Sequence, residues 1–402
     1  MQDKTDRVIV VGAGPVGMVA AVSLLEDGIP VTILEATPDL PDDLRASTFH
    51  PPTLDFLDRF GLSDRLIAIG LKCPYWQFRD RKEGVIATFD LGLLKDETNH
   101  PYRLQCEQWK LTRMLREMVD AHELGTLVTN FVAETVHQDA DGVAVTGSRP
   151  DGATETVHGR YLIAADGARS PIRKQLGVKF EGMTIPEVFL SLSTEFRFDK
   201  AIPDLCNIAY ISDPSEWYVL LRTPTLWRVL FPTDPQLTDE QMLDPATIEP
   251  RLQAVVKTPD TYAVVHKTAY RVHERVADRY VHGRIFLAGD AAHLNNPLGG
   301  MGMNGGIHDA VNLTEKLKTV WRGAATDVLQ RYERQRRKVA LETVQAQALR
   351  NRKILNETDP AARQAYHDSL RATVDDPQAH KALSLIHISE PTRLESKSRM
   401  PS

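Results

Sequence analysis

The chain has 402 residues, 42% of them hydrophobic and 25% charged, with a net charge of −6. That length predicts about two domains, and the acidic balance argues against nucleic acid as a partner. No stretch approaches the roughly 18 apolar residues of a membrane span, and Cys73, Cys106 and Cys206 stand too far apart for a disulfide framework or a metal spacing.

The first residues, "MQDKTDRVIVVGAG", hold an apolar run too short for a signal peptide. "RVIVVGAGPVGMVAAVSLLEDGIPVTILEA" then reads as a strand at Val8–Val11, a glycine turn, a helix over Pro15–Asp27 ended by Gly28, and a strand at Val31–Leu34. Gly12, Gly14 and Gly17 form G-x-G-x-x-G between strand and helix. Such a turn lets backbone approach a pyrophosphate, and the helix N-terminus offers it free N–H groups. Glu35, at the end of the second strand, is placed to accept from ribose hydroxyls and disfavours a 2′-phosphate, so FAD or NAD fits better than NADP.

Further along, "PPTLDFLDRFGLSDRLIAIG" is helical, with Leu54, Leu57 and Leu62 on one side and a break at Gly61. Residues 73–101 are aromatic-rich and alternate in short stretches. "EQWKLTRMLREMVDAHELG" is a helix with a Leu111, Leu115 and Val119 stripe. Short strands follow, separated by "DADG" and "RPDG" turns, and residues 181–277 form a second strand-rich region. After "GRIFLAGD" the chain is helical to about Ala382, and the charge run of "RYERQRRKVALETVQAQALRNRKIL" is expected to be a solvated face.

This pattern predicts an α/β chain: a Rossmann-like domain interleaved with a smaller strand-rich substrate domain, followed by C-terminal helices. The expected boundaries are 1–72, 102–180 and 278–345 for the first domain, 73–101 and 181–277 for the second, and 346–382 for the helical segment. Residues 383–402, "LSLIHISEPTRLESKSRMPS", do not continue the preceding helical period and back-translate as a sequencing-library adapter. They are expected to be a non-native tail standing in for a missing native C-terminus.

"IFLAGDAAHLNNPLGGMGMNGG" decides between FAD and NAD. Asp290, beside Gly289 at the end of an apolar strand, suits a polyol such as the ribityl chain of a flavin. "PLGGMGMNGG" reads as a loop of close backbone approach before a helix, "GIHDAVNLTEKLKTVW", whose N-terminus would favour negative charge on a reduced flavin ring.

Together these residues resemble the flavin-dependent aromatic hydroxylases, the group A flavoprotein monooxygenases with the p-hydroxybenzoate hydroxylase fold. "GAGPVG" resembles the ADP-binding fingerprint. "YLIAADGARSPIRKQLGV", with Asp166, Gly167, Arg169 and Ser170, resembles the Asp-Gly motif. "GRIFLAGDAAHLNNPLGGMGMNGGIHDAVNL" resembles the Gly-Asp motif and flavin loop. The resemblance implies cofactor contacts from Gly12, Gly14, Pro15, Val16, Gly17 and Glu35. It adds Gly289, Asp290, Gly300, Gly302, Met303 and Asn304 from the third motif, and a structural role near FAD for Asp166. It also implies Arg45 of "LRAST" as a conformation-setting flavin contact and Gln108 of "QWKLTRML", with Gln105 as the competing register. Pro297 is expected beside the flavin as a shaping residue.

The implied activity is monooxygenation of a phenolic or related aromatic small molecule. NADH or NADPH, bound transiently without a domain of its own, reduces FAD, and O2 adds at flavin C4a to give the hydroperoxide that hydroxylates the ring. The resemblance fits a cytoplasmic monomer or homodimer with no metal. The same scaffold serves non-aromatic oxygenases, reductases and halogenases, although the W-x-W-x-I-P stretch of tryptophan-type halogenases is absent. A flavin-binding chain left without turnover by truncation is the remaining alternative.

Substrate residues are less marked. Alternation puts Tyr218, Leu220 and Arg222 on one strand face, and Leu226, Arg228 and Leu230 on another. Arg222 or Arg228 could anchor a carboxylate or phenolate, and Tyr218 could relay a proton. His50, just past Arg45, could reach the active site; a capping or solvated histidine is the plainer reading.

Overall fold

A computed structural model of the chain describes residues 5–42, 44 and 46–386. The chain forms two compact units: Met1–Ala46, Glu107–Met183 and Glu274–Ala346 in the first; Ser47–Cys106, Thr184–His273 and Gln347–Ser402 in the second. Residues 47–72, expected in the first domain, and the C-terminal helices, expected as a separate segment, therefore fall in the second unit.

In the first unit, Val8–Val11 is fully buried and runs parallel between Val31–Leu34 and Tyr161–Ala164. Gly125–Val128 extends the sheet on one side, and Ile285–Leu287 on the other, in parallel; Val281–His282 closes that edge antiparallel. These strands read as unbroken apolar runs because a parallel sheet is covered on both faces. The helix Pro15–Leu25 packs against the helices Gln108–Asp120 and Met301–Trp321. The latter approach is close: a Cβ on Gly306 would lie 2.6 Å from Val16 Cγ2, and Ser23 Oγ meets Thr314 Oγ1 at 3.0 Å.

In the second unit, the antiparallel strands Val188–Thr194, Trp227–Thr233, Tyr218–Arg222 and Ile208–Ser212 lie side by side, followed by the hairpin Tyr75–Asp80 and Gly84–Asp90. One face carries Leu190, Leu192, Ala209, Tyr218, Leu220, Trp227, Val229 and Phe231, packed with Ile248 and Leu252 of the helix Pro245–Val255. Gly61, at φ 66°, separates the helices Pro51–Asp58 and Leu62–Ile69.

The helices Pro360–Asp375 and Pro377–Ile386 pack on the hairpin strand Gly84–Asp90. Asp90 N–H donates to His380 Nε2 at 3.0 Å. The last helix runs through the first four residues of the expected tail and buries Ser384. Leu383–Ile386 thus continue the preceding helix, contrary to the expected break in its period.

Candidate functional site

The turn after the first strand is shaped by contacts that only glycine permits. Gly12, at φ 101°, donates its N–H to Leu34 O at 2.8 Å, and a Cβ there would meet Ala165 O at 2.3 Å. A Cβ on Gly17 would meet Gly12 O at 2.0 Å. Gly14 is different: it caps the helix Pro15–Leu25, and a Cβ there would meet nothing within 4 Å. The first and third glycines therefore serve packing, and the middle one opens the helix N-terminus to an approaching group.

Glu35 is partly exposed at the end of its strand. Its Oε2 accepts from Ala13 N at 2.8 Å, and its Oε1 from Thr37 N and Thr37 Oγ1 at 2.9 and 2.8 Å. A carboxylate has about four acceptor sites, so one remains for a ligand hydroxyl.

Asp166 faces inward. Its Oδ2 accepts from Ser170 Oγ at 2.7 Å, and Ser170 caps the short helix Pro171–Gln175. Its Oδ1 is buried with no hydrogen bond, and burial pushes its carboxyl above the ordinary range. Gly167, at φ 80°, completes the turn. Arg173, not singled out in the sequence, ties this turn to the third motif: Nη2 donates to Ala168 O at 2.7 Å and Nη1 to Ala291 O at 3.0 Å.

In the third motif, Gly289 sits at φ 60° and Asp290 is exposed in the following turn. The glycine stretch is shorter than expected as a loop, because the helix begins at Met301 rather than at Gly306. Gly300, left-handed at φ 69°, caps it, and Asn304 Nδ2 reaches back to Gly300 O at 2.6 Å. Gly302, Met303 and Asn304 are therefore first-turn residues. Pro297 precedes them in a turn in which its carbonyl accepts from Gly300 N.

Gln105 and Gln108 part clearly. Gln105 is fully buried in the second unit, where Oε1 accepts from Ser47 Oγ at 3.0 Å and Nε2 donates to Thr48 Oγ1 at 2.9 Å. Gln108 opens its helix in the first unit and is partly exposed. Arg45 lies outside the described residues.

The substrate candidates all lie in the second unit, and they do not share one surface. Tyr218 is in the apolar cluster under the helix Pro245–Val255. Burial pushes its hydroxyl pKa up to about 12. Arg222 pairs with Asp199 at 3.5 Å. Arg228 is buried on the opposite face, with Nη1 3.5 Å from Ser47 Oγ. His50 is buried, and its carbonyl accepts from Thr53 and Leu54 N–H at the start of its helix. Tyr270 is a further buried tyrosine near Arg228. It stacks on Phe189 at 6.1 Å; burial raises its hydroxyl pKa against the nearby charge of Arg228.

Two carboxylate–histidine clusters exist among the described residues, Asp55/Asp58/His100 and Asp80/Glu83/His367. Their carboxylates already accept from protein donors: His100 on Asp58, Arg363 on Asp80 and Arg371 on Glu83.

Residues 5–347 match the family model described as FAD binding domain. The chain belongs to that family, the flavin-dependent aromatic hydroxylases. The para-nitrophenol 4-monooxygenase of a Pseudomonas species is 37% identical over 363 residues, 89% of each chain. The 6-hydroxy-3-succinoylpyridine 3-monooxygenase of Pseudomonas putida is 34% identical over 360 residues, 88% of this chain and 90% of the relative. The crystal structure of a Pseudomonas putida p-nitrophenol 4-monooxygenase superposes with a TM-score of 0.90 at 32% identity, covering 95% of this chain and 97% of that one. The chain is thus an FAD-dependent monooxygenase.

The residues present fit that cofactor. The open helix N-terminus at Gly14, the spare acceptor capacity of Glu35 and the exposed Asp290 match a pyrophosphate, a ribose and a polyol. No helix among the described residues is long and apolar enough to cross a membrane, and Cys73, Cys106 and Cys206 are free thiols.

Proposed function

We propose that the chain uses NADH or NADPH and O2 to hydroxylate a ring bearing an ionisable hydroxyl, such as a para-substituted phenol or a hydroxypyridine. The observation that carries this reading is Arg228. Arg228 is a buried guanidinium beside Leu230 and Ser193, and a guanidinium gives strong charge-assisted hydrogen bonds to an anionic oxygen. It heads a polar chain from Arg228 Nη1 to Ser47 Oγ, Gln105 Oε1 and, through Gln105 Nε2, Thr48 Oγ1. A phenolate oxygen is suited to such a donor set.

FAD, when bound, supplies the oxygen-activating chemistry, and the side chains supply binding and orientation. Gly12, Gly14, Pro15, Val16 and Gly17 present the helix N-terminus to the pyrophosphate. Glu35 takes ribose hydroxyls, Asp290 takes the ribityl chain, and Gln108 rather than Gln105 is the glutamine free to contact the cofactor. Pro297, Gly300, Gly302, Met303 and Asn304 shape the ring end. Arg228 holds the substrate in its ionised form, which is the form most activated toward an electrophilic oxygen. Arg222 and Tyr218 are left out of that role. The free thiols fit a cytoplasmic enzyme.

The test is a screen of NADH and NADPH oxidation over para-substituted phenols and hydroxypyridines in labelled O2. The protein should be yellow, the right ring should accelerate oxidation, and the product should carry one labelled oxygen. Dehydrogenated product without label, or no FAD taken up by the apoprotein, defeats the proposal.

A further inference from the structure

The first unit contains a buried ionic cluster that the cofactor contacts do not use. Asp309, fully buried on the helix Met301–Trp321, accepts from three donors on three segments. Its Oδ1 accepts from Arg336 Nε at 2.6 Å. Its Oδ2 accepts from His293 Nε2 at 2.8 Å and from the backbone N–H of Gly289 at 3.0 Å. Arg336 is 2% exposed and His293 4%, so water compensates none of the three. Arg336 Nη2 also donates to Gly305 O at 3.1 Å, in the second turn of the helix.

We propose that Asp309 is a positioning residue for FAD. Gly289 immediately precedes Asp290 and is held in the left-handed region at φ 60°. Anchoring its N–H fixes the direction in which Asp290 leaves the strand. The same carboxylate grips Arg336, which pins the start of the helix whose first turn carries Gly302, Met303 and Asn304. One buried charge therefore sets the two segments of the third motif against each other. Stability alone is a weak reason for such a cluster, since well-packed apolar groups of equal volume often do as well. A fixed geometry at a ligand-facing turn is a role an apolar core cannot fill, because only a charged acceptor can hold the Gly289 N–H, the His293 ring N–H and the Arg336 guanidinium together.

The inference rests on the assignment of Asp290 and the helix start to FAD, and its test separates the two. Apoprotein is titrated with FAD and with ADP. ADP would engage the Gly12–Gly17 turn and Glu35 but not the third motif. In Asp309→Asn, one carboxylate oxygen is replaced by an amide NH2, which donates and cannot accept. FAD should bind about tenfold more weakly or worse, while ADP affinity stays within about twofold. His293→Gln, which leaves the Asp309 carboxylate with Arg336 and Gly289, should show the same FAD-selective loss at smaller size and decides the matter if Asp309→Asn does not fold. Unchanged FAD affinity in the folded variants, or equal losses for FAD and ADP, overturns the positioning role. A wild-type protein that binds ADP but not FAD overturns the cofactor assignment instead, and the positioning role with it.

Discussion

Arg222 and Arg228 lie on opposite faces of one mixed sheet. Arg222 pairs across the strands with Trp227, and Arg228 with Leu221; directly opposed residues share a face. Arg222 therefore sits on the side of Trp227, Val229 and Phe231, where Asp199 meets it. Arg228 sits on the side of Leu221, Val219 and Leu230.

This separation makes the two arginines a paired experiment. Arg228→Gln removes a charge-assisted donor worth roughly 1.5–3 kcal/mol, so KM for an ionised phenol should rise about 10- to 150-fold. Arg222→Gln loses a partly exposed ion pair worth about 0–1 kcal/mol of stability and should leave KM unmoved. Steady-state kinetics of both variants with one phenol, above and below its pKa, reads the difference. An equal effect on KM would place the substrate elsewhere.

The three glycines of the first turn should also separate. Gly14→Ala meets no atom within 4 Å, and its φ of −69° suits any residue. It should melt at or slightly above the wild-type temperature without cofactor, since Ala costs less chain entropy by about 0.4–1 kcal/mol. Its FAD affinity should fall, because the methyl stands in the approach to the helix N-terminus. Gly17→Ala, whose Cβ would collide with Gly12 O at 2.0 Å, should instead lower the apoprotein melting temperature. Differential scanning calorimetry of the two apoproteins, with FAD titrations beside it, checks the contrast.

Asp290 is exposed at the end of its strand, where a ligand can reach it. Asp290→Ala should weaken FAD binding about 10- to 150-fold, the equivalent of a charge-assisted bond of roughly 1.5–3 kcal/mol. Apoprotein melting should stay put. A lowered apoprotein melting temperature with FAD affinity intact would make Asp290 a turn cap only.

The buried cluster predicts a pH window. Burial raises the Asp309 carboxyl, but His293 and Arg336 outweigh it and hold the group at about 2, below its ordinary 3.8. Its contribution, on the order of 2 kcal/mol, is present above the unfolded value and is lost as pH falls through the folded one. Burial lowers the His293 pKa, but Asp309 outweighs it through its charge and its hydrogen bond, so the value lies above 6.5 despite the opposing charge of Arg336. That contribution is complete below the unfolded value and is lost as pH rises through the folded one. Apoprotein melting curves from about pH 3 to pH 9 should therefore fall at both ends, and His293→Gln should remove the alkaline decline attributable to this pair.

The local elements of the first unit were legible in the chain because their causes are local. The strands Val8–Val11 and Val31–Leu34 stand where the apolar runs stop, and the Gly12–Gly17 turn answers to contacts within a strand, a turn and a helix. Glu35 follows from its place at a strand end. Partners brought from far along the chain decided the rest. The charge run near Arg336 reads as solvated, yet Arg336 is buried because Asp309 lies on another helix to receive it. The helix start moved to Met301 because Gly305 and Gly306 are absorbed by packing against His293 and Val16, not by a loop. Ser47 and Thr48 engage the Gln105 amide, and strand register puts Arg222 on the face opposite Arg228. Alternation along one strand tells which residues share a face, but only pairing with the next strand tells which face that is, since a shift of one residue would exchange the two.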